Sequence, residues 1–187
     1  MSRLRIAVAL AAFTCLLSVV VAALPSQNPR AAKPQPEHAL LKKLAGKWNT
    51  TFTFSMPGAP PMSSKGTEVN ELLGDLWIVS RYDDPNMMGG AFAGAELMGW
   101  DTDAKQYVTA WVDNQSSDLS TQKGSYDEAK KTLTLSGSSK DPMTGAESTV
   151  RTVVTFKDDD HRSQSMFVPG PGGKEMKLFT IEYERAK

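Results

Sequence analysis

The chain of 187 residues is long enough for one domain and a leader segment. Its 21 basic and 21 acidic residues cancel, so it carries no net charge to attract nucleic acid or an anionic membrane surface. The single cysteine, Cys15, excludes an intramolecular disulfide, and removal of the leader would also exclude thiol catalysis.

Residues 1–23 have the features of an export signal. Arg3 and Arg5 precede an apolar run from Ile6 to Leu24, and Val21–Ala23 form a small-residue cleavage site. We predict cleavage after Ala23 and a periplasmic or secreted mature protein, which after cleavage no longer associates with a membrane. The apolar run is also long enough for an uncleaved N-terminal anchor, and in that alternative the protein stays attached to the membrane.

A linker and a short helix are predicted next. Residues 24–36 contain four prolines and no apolar periodicity, a composition typical of a disordered linker. Residues 37–187 then form the predicted domain. Leu40, Leu41 and Leu44 recur at helical spacing near its start, and Gly46 is expected to end this helix.

From residue 48 onward, short strand-like runs alternate with turn clusters, which is typical of an all-β domain. Trp48, Phe52 and Phe54 alternate with polar residues on the first run. Nine further runs follow at residues 65–73, 76–84, 92–100, 106–114, 118–126, 131–139, 148–156, 162–170 and 175–185. A meander of about ten strands either stacks as a sandwich or closes on itself. Because closure removes exposed edges, we predict a single antiparallel barrel with the helix capping one end.

The junction of helix and first strand resembles that of the calycin superfamily, which includes lipocalins. The shared feature is a short helix followed by G-x-W, here Gly46 and Trp48, at the start of the first strand of a meander. The resemblance implies that Trp48 plugs the closed end of the barrel. It also implies that Arg185, in the segment EYERAK, packs across the indole as a structural contact.

A closer resemblance covers nearly the whole predicted domain. The segments PEHALLKKLAGKW, PGAPPMSSKGT, MGWDTDAKQYVTAWVD, KGSYDEAKKTLTLSG, DPMTG and PGPGGKEMKLFTIEYER occur in this order. Together they resemble the exported bacterial family known as domain of unknown function fifteen seventy-nine. The resemblance implies a calycin-like barrel and no particular reaction. Glu96 stands where the family pattern has glycine, and Ser165 where it has an acid.

The candidate metal and cofactor ligands are sparse. His38 and His161 are too isolated for a metal site, although some calycins hold haem through a histidine, so a helix-capping or solvated role is favoured for both. The run Asp158–Asp160 lacks the spaced ligands of a calcium loop. A copper(I) site is disfavoured because the spacing of the loop methionines is irregular. These methionines are Met56, Met62, Met87 and Met88. We expect no metal and no cofactor.

Strand alternation suggests an apolar interior with a few polar groups. Phe52, Phe54, Met98 and Trp111 are the candidate apolar contacts of a ligand. Two polar residues are added to this candidate binding site, Asp113 and Arg151. If both point inward, they would orient a polar head group. The alternative is that both face solvent or form ordinary ion pairs.

Three function classes remain open. The preferred one is a monomeric, non-enzymatic carrier of a small, mostly apolar ligand, entered past the segments PGAPPM and DDPNMMGG, which are rich in turn-forming residues. An enzyme that uses a few inward polar residues, drawn from Asp113, Arg151 and Glu96, is the second, with Asp113 and Arg151 as the candidate acid-base pair. No Ser-His-Asp order and no G-x-S-x-G elbow supports hydrolase chemistry. The third is an interaction module with a filled barrel.

Overall fold

The structure, a computed structural model, describes residues 32–55, 58–140, 145 and 147–187. The predicted export signal and most of the predicted linker lie outside the described residues. Lys33–Lys187 form one compact unit. Within the described ranges, every helix is too short or too polar to cross a membrane.

Ten strands follow a short helical segment in chain order. This segment consists of a 3₁₀ turn, Pro36–His38, and the helix α1, Ala39–Leu44. The strands are β1 (Gly46–Phe54), β2 (Met62–Leu73), β3 (Trp77–Met87), β4 (Gly90–Asp101), β5 (Gln106–Asp113), β6 (Ser120–Asp127), β7 (Thr132–Lys140), β8 (Glu147–Phe156), β9 (His161–Pro169) and β10 (Glu175–Arg185). A second 3₁₀ turn, Pro171–Gly173, joins β9 to β10.

The sheet is a closed barrel. Each strand pairs antiparallel with the next, and β1 pairs with both β2 and β10. The closing pair runs from Trp48 opposite Arg185 to Phe54 opposite Phe179. The predicted all-β meander barrel of about ten strands, with a short helix on the N-terminal side, is confirmed.

One predicted loop is shorter than expected. The segment DDPNMMGG was assigned to a turn cluster, but β3 continues through Met87 and only Met88 and Gly89 form the turn. Pro85 lies in this last part of β3. The ladder to β4 shifts register between Asp84 and Met87, so the missing N–H of the proline falls at an irregularity rather than in a regular ladder.

The alternation of strand direction defines two ends of the barrel. Because α1 leads directly into β1, the helix lies at the end where β1 begins, which we call the helix end. Connections that follow odd-numbered strands therefore lie at the opposite end, which we call the far end. The connection that contains PGAPPM and the turn at Met88 and Gly89 both belong to the far end.

Helix α1 packs its apolar face into the helix end. Leu40, Leu41 and Leu44 are all buried in one core cluster with residues of the barrel wall. Burial of a leucine side chain stabilises by roughly 2 kcal/mol. The carbonyl of Leu44, which ends the helix, accepts hydrogen bonds from Trp48 Nε1 and Asn70 Nδ2, each at 2.9 Å. The last turn of α1 is therefore both buried and hydrogen-bonded.

Arg185 covers the helix end of the barrel and holds α1 to it. Its guanidinium carbon lies 4.2 Å from the ring centroid of Trp48, the contact that the calycin resemblance implies. The same guanidinium donates to the carbonyls of Ala45 and Asp159, each at 2.8 Å. Gly46 has φ +116°, and a Cβ there would lie 2.8 Å from Arg185 Nη1. A glycine is required at this position for both reasons.

Candidate functional site

A polar cluster lies inside the barrel, next to the last residue of α1. Glu68 on β2 and Arg162 on β9 form an ion pair of 2.5 Å, and both side chains are almost fully enclosed. Asn70 Nδ2 donates to the same carboxylate oxygen at 2.8 Å. The guanidinium of Arg162 also lies over two rings, 3.7 Å from Tyr183 and 4.7 Å from Trp48. The additional hydrogen bond and the aromatic contacts offset part of the cost of taking these two charges out of water.

Glu96 on β4 is a second carboxyl beside this pair. Its pKa is raised to about 8, mainly by burial and further by the charge of Glu68, while Arg162 acts in the opposite direction. Because Arg162 is already neutralised by Glu68, a second negative charge would be poorly compensated here. Glu96 is therefore a neutral acid at pH 7, able to donate one hydrogen bond.

A small cavity separates the members of this cluster. Its volume is about 20 Å³, enough for roughly one water molecule. It is lined by Leu44, Glu68, Asn70, Ser80, Glu96, Met98, Leu133, Val154, Arg162 and Gln164. We call the polar residues of this lining the inner polar cluster: Glu68, Asn70, Ser80, Glu96, Arg162 and Gln164.

Half-buried apolar residues, four of them aromatic, cluster towards the far end. They pack against the buried group of Trp48, Phe52, Tyr82, Ile181 and Tyr183, and they comprise Phe54, Met87, Phe92, Trp111 and Phe179. Met62, Met88 and Leu119, at or beside the far-end connections, are themselves 45%, 56% and 65% exposed. Apolar surface at this end therefore remains accessible to solvent, as is usual where a partner or ligand binds.

Trp111 is the most firmly positioned of these residues. Its Nε1 donates to Asp113 Oδ2 at 2.8 Å, and its ring is nearly parallel to that of Phe92, with centroids 6.3 Å apart and planes 14° apart. A Cβ on Gly94 would come within 2.3 Å of the indole. The absence of a side chain at Gly94 therefore lets the indole lie against β4. We call Phe92, Gly94, Trp111 and Asp113 the indole platform.

The four apolar residues predicted to line a ligand site separate into two groups. Phe52 and Met98 are 4% exposed and belong to the packed core. Phe54 and Trp111 are half-buried and belong to the far-end group. The interior is thus apolar at these positions as predicted, but a ligand can reach only the second pair without displacing core side chains.

The structure does not bring Asp113 and Arg151 together. Arg151 alternates with the buried Val150 and Thr152, so it lies on the outer face of β8. There it forms a two-point ion pair with Glu175, at 2.8 and 2.6 Å, which is the ordinary ion pair considered as the alternative. Asp113 instead holds Trp111 and accepts the backbone N–H of Gln115 at 2.9 Å. It orients the indole rather than a ligand head group.

The histidines lie apart from each other. His38 is buried beside α1, where its Nδ1 accepts the backbone N–H of Gln35 at 2.9 Å. His161 is exposed and lies 2.8 Å from Asp158 in the turn between β8 and β9. Within the described part of the chain, no group of three or more histidine, cysteine or acidic side chains is arranged to hold a metal ion.

The ion pair of Glu68 and Arg162 is not evident from the sequence. Strand β2 carries polar residues on both faces, so alternation does not reveal which face is inside. The strand register of the closed barrel shows that both residues lie on the inner face. Glu68 lies opposite Trp48, and Arg162 lies opposite Tyr183, so each is placed on the inner face by an aromatic neighbour.

The family comparison covers the helix and the whole barrel. The family described as "Protein of unknown function (DUF1579)" matches residues 33–185. This chain belongs to the DUF1579 family. The predicted resemblance is therefore confirmed, and the matched range contains both the inner polar cluster and the indole platform. No curated protein matches the chain.

One solved structure shares the fold of this DUF1579 chain, and a second is less similar. The crystal structure of Rv2717c from M. tuberculosis is similar with a TM-score of 0.62 at 13% identity, covering 83% of this chain and 100% of that one. A redesigned β-barrel matches with a TM-score of 0.41 at 12% identity, over 79% and 95% of the two chains. At such identities the likeness to Rv2717c concerns the barrel fold alone.

Proposed function

We propose that this barrel binds a small, flat, mostly apolar molecule at its far end, on the indole platform, and that it does so without catalysing a reaction. The observation that carries the proposal is the fixed position of Trp111. A half-buried indole held by Asp113, stacked with Phe92 and seated over Gly94 loses little freedom when a ring binds against it. Rigid aromatic surfaces of this kind provide much of the affinity of small-molecule sites.

The far end is favoured over the barrel interior because of size. The cavity at the inner polar cluster has a volume of about 20 Å³, and a cavity beside Trp48 at the helix end has about 60 Å³. Pockets for whole small molecules usually measure roughly 300–1,000 Å³. The proposed ligand therefore covers the far-end aromatic residues and does not lie deep in the barrel.

Binding of the neutral fluorophore N-phenyl-1-naphthylamine would test this proposal, with Trp111→Leu as the perturbing variant. The variant loses one aromatic stack, worth about 0.5–1.5 kcal/mol, and some contact area with the ligand. We therefore expect Kd to rise at least about fivefold. Trp77→Leu is a matched control because Trp77 also lies over a glycine, Gly99, but on the outer wall. No binding by the wild type, or equal weakening by both variants, would reject the indole platform as the site.

An interaction module is the second candidate. It is favoured by exposed apolar side chains on the outer wall, where Leu97 on β4 is 39% exposed and Val112 on β5 is 45% exposed. If the fluorophore does not bind and the outer-wall variant Leu97→Lys instead abolishes co-purification of a partner protein, this second function replaces the first.

We further propose export of the protein, from Arg3, Arg5 and the apolar run Ile6 to Leu24. Mass spectrometry of the exported protein is expected to find an N-terminus at Leu24 or within a residue or two of it. Recovery of the full-length chain only from membranes would show instead that the segment is an anchor.

A further inference from the structure

Glu96 is the one carboxyl of the inner polar cluster whose hydrogen-bonding capacity is unused. Glu68 accepts from both Arg162 and Asn70. Glu96 makes no hydrogen bond to another described residue, although it points into the barrel and stays accessible to a water molecule. Glu96 is half-buried, so an acceptor on a bound molecule could take the place of that water and receive the proton of the carboxyl.

The surroundings keep this carboxyl neutral. Two charged groups from other elements face it, Glu68 on β2 and Arg162 on β9, and they cancel each other. The nearby titratable groups are Tyr82 on β3, whose pKa burial raises to about 12, and Tyr183 on β10, whose pKa burial raises well above its usual value. Both tyrosines are neutral between pH 6 and 9, so Glu96 alone changes charge in this range.

Glu96 is also the immediate neighbour of the indole platform. It pairs across the β4–β5 ladder with Trp111, and both side chains point inward. Side chains directly opposite on one face have Cβ atoms about 5 Å apart. The indole extends over Gly94, two residues along β4 from Glu96, so a ring stacked on it would reach the carboxyl through a short substituent that points towards the helix end.

We propose that Glu96 determines which ligands bind, by donating the proton of its neutral carboxyl to an uncharged oxygen or nitrogen acceptor on a flat apolar molecule held by Trp111. This inference rests on the proposed function and adds the chemical class of the ligand. An aromatic ketone or aldehyde fits this description. An anionic ligand does not fit, because a carboxylate would meet the charge of Glu68 in an enclosed space.

The size of the cavity limits the acceptor to about one heavy atom. Its volume of about 20 Å³ suits a carbonyl oxygen but not a sulfonate or a phosphate. The ring remains at the far end, and only the acceptor atom enters the inner polar cluster. The protein would thus select ligands by one acceptor atom attached to an apolar ring.

Two probes of nearly identical shape test the inference, 2-acetylnaphthalene and 2-isopropenylnaphthalene, which differ by C=O against C=CH2. Equilibrium dialysis at about pH 6.5 is expected to show roughly two- to tenfold tighter binding of the ketone, as one net hydrogen bond gives. The preference should decline as the pH rises through about 8, where Glu96 loses its proton.

Three variants separate the role of the proton from a structural role. Glu96→Gln still has an N–H donor but does not titrate, so its preference for the ketone is expected to persist and to become independent of pH. Glu96→Met is expected to bind both probes equally. Glu71→Met, at an exposed glutamate on the outer wall paired with Arg81, is the control and should behave as the wild type.

The outcomes distinguish this inference from the proposed function. Equal binding of both probes by the wild type would overturn the role of Glu96 and leave the indole platform as an apolar site. Binding of neither probe would overturn the indole platform and the role of Glu96 together. A preference for the ketone that does not change between pH 6 and 9 in the wild type would overturn the neutral carboxyl as its source.

Discussion

Removal of the buried arginine is expected to be among the most destabilising single changes in the barrel wall. Arg162→Met keeps most of the side-chain volume but leaves the carboxylate of Glu68 without its cation. The side chain of Arg162 is 4% exposed and that of Glu68 is 10% exposed, so the remaining charge is enclosed. Loss of one partner of a buried ion pair costs about 3–5 kcal/mol. The variant also loses the guanidinium contacts with the rings of Tyr183 and Trp48, so the upper part of this range is expected.

The magnitude is large enough for thermal denaturation to measure. In a domain of this size each kcal/mol shifts Tm by about 2–4 °C, so Arg162→Met is expected to lower Tm by about 10 °C or more. Arg151→Met on the neighbouring strand is the matched control, because it breaks an exposed ion pair with Glu175. That change is expected to cost at most about 1 kcal/mol.

The double variant Glu68→Gln with Arg162→Met tests the reason for the loss. It removes both charges and keeps an amide oxygen that Asn70 can still donate to. Replacement of a whole buried pair is often close to neutral, so the double variant is expected to recover most of the stability lost by Arg162→Met. If the costs of Glu68→Gln and Arg162→Met, each measured alone, simply add in the double variant, the unpaired charge of Glu68 is not the cause of the loss. The same conclusion follows if Arg162→Met costs no more than Arg151→Met.

Three further predictions concern single positions. Because of Glu96, the free energy of unfolding should fall by about 1.4 kcal/mol per pH unit between about pH 4.5 and 8, since the folded carboxyl keeps a proton that the unfolded chain has lost. Urea denaturation of Glu96→Gln should show a weaker dependence of this free energy on pH. Gly94→Ala should displace the indole of Trp111 and cost about 1–3 kcal/mol, seen in near-ultraviolet circular dichroism and Tm, whereas Gly90→Ala, with open space around its Cβ, should leave the aromatic signal unchanged. Arg185→Lys should cost about 1–3 kcal/mol of stability, measured by thermal melting, because a lysine cannot donate to the carbonyls of both Ala45 and Asp159 while it stacks on Trp48. A loss of stability no larger than that of Arg81→Lys would contradict this role.

The sequence predicted those parts of the barrel that depend on local patterns. Trp48 and Phe52 alternate with polar residues, which reveals the inner face of β1 without any knowledge of its neighbours. Strand β8 does not reveal its inner face, because Val150, Val153 and Val154 put apolar side chains on both sides. This is why the sequence leaves the orientation of Arg151 open.

The inner polar cluster could not be predicted because it depends on pairing between distant strands. Glu68 and Arg162 are 94 residues apart in sequence. A charged residue on an inner face is usually a poor prediction, since an isolated buried charge is so costly. Only the register of β2 and β9 in the closed barrel shows that each of these two charges has the other as its partner.

The pairing of β1 with β10 also constrains how the protein can fold. The two strands that seal the wall are the first and the last of ten, so their contacts have the largest sequence separation in the barrel. Contacts of this kind form slowly, and until they form both outer strands expose unpaired backbone groups. A growing chain therefore cannot complete its wall before β10 has been synthesised. An intermediate with nine strands has open edges that invite aggregation, so a chaperone that shields strand edges would be most useful to this protein just before the seam closes.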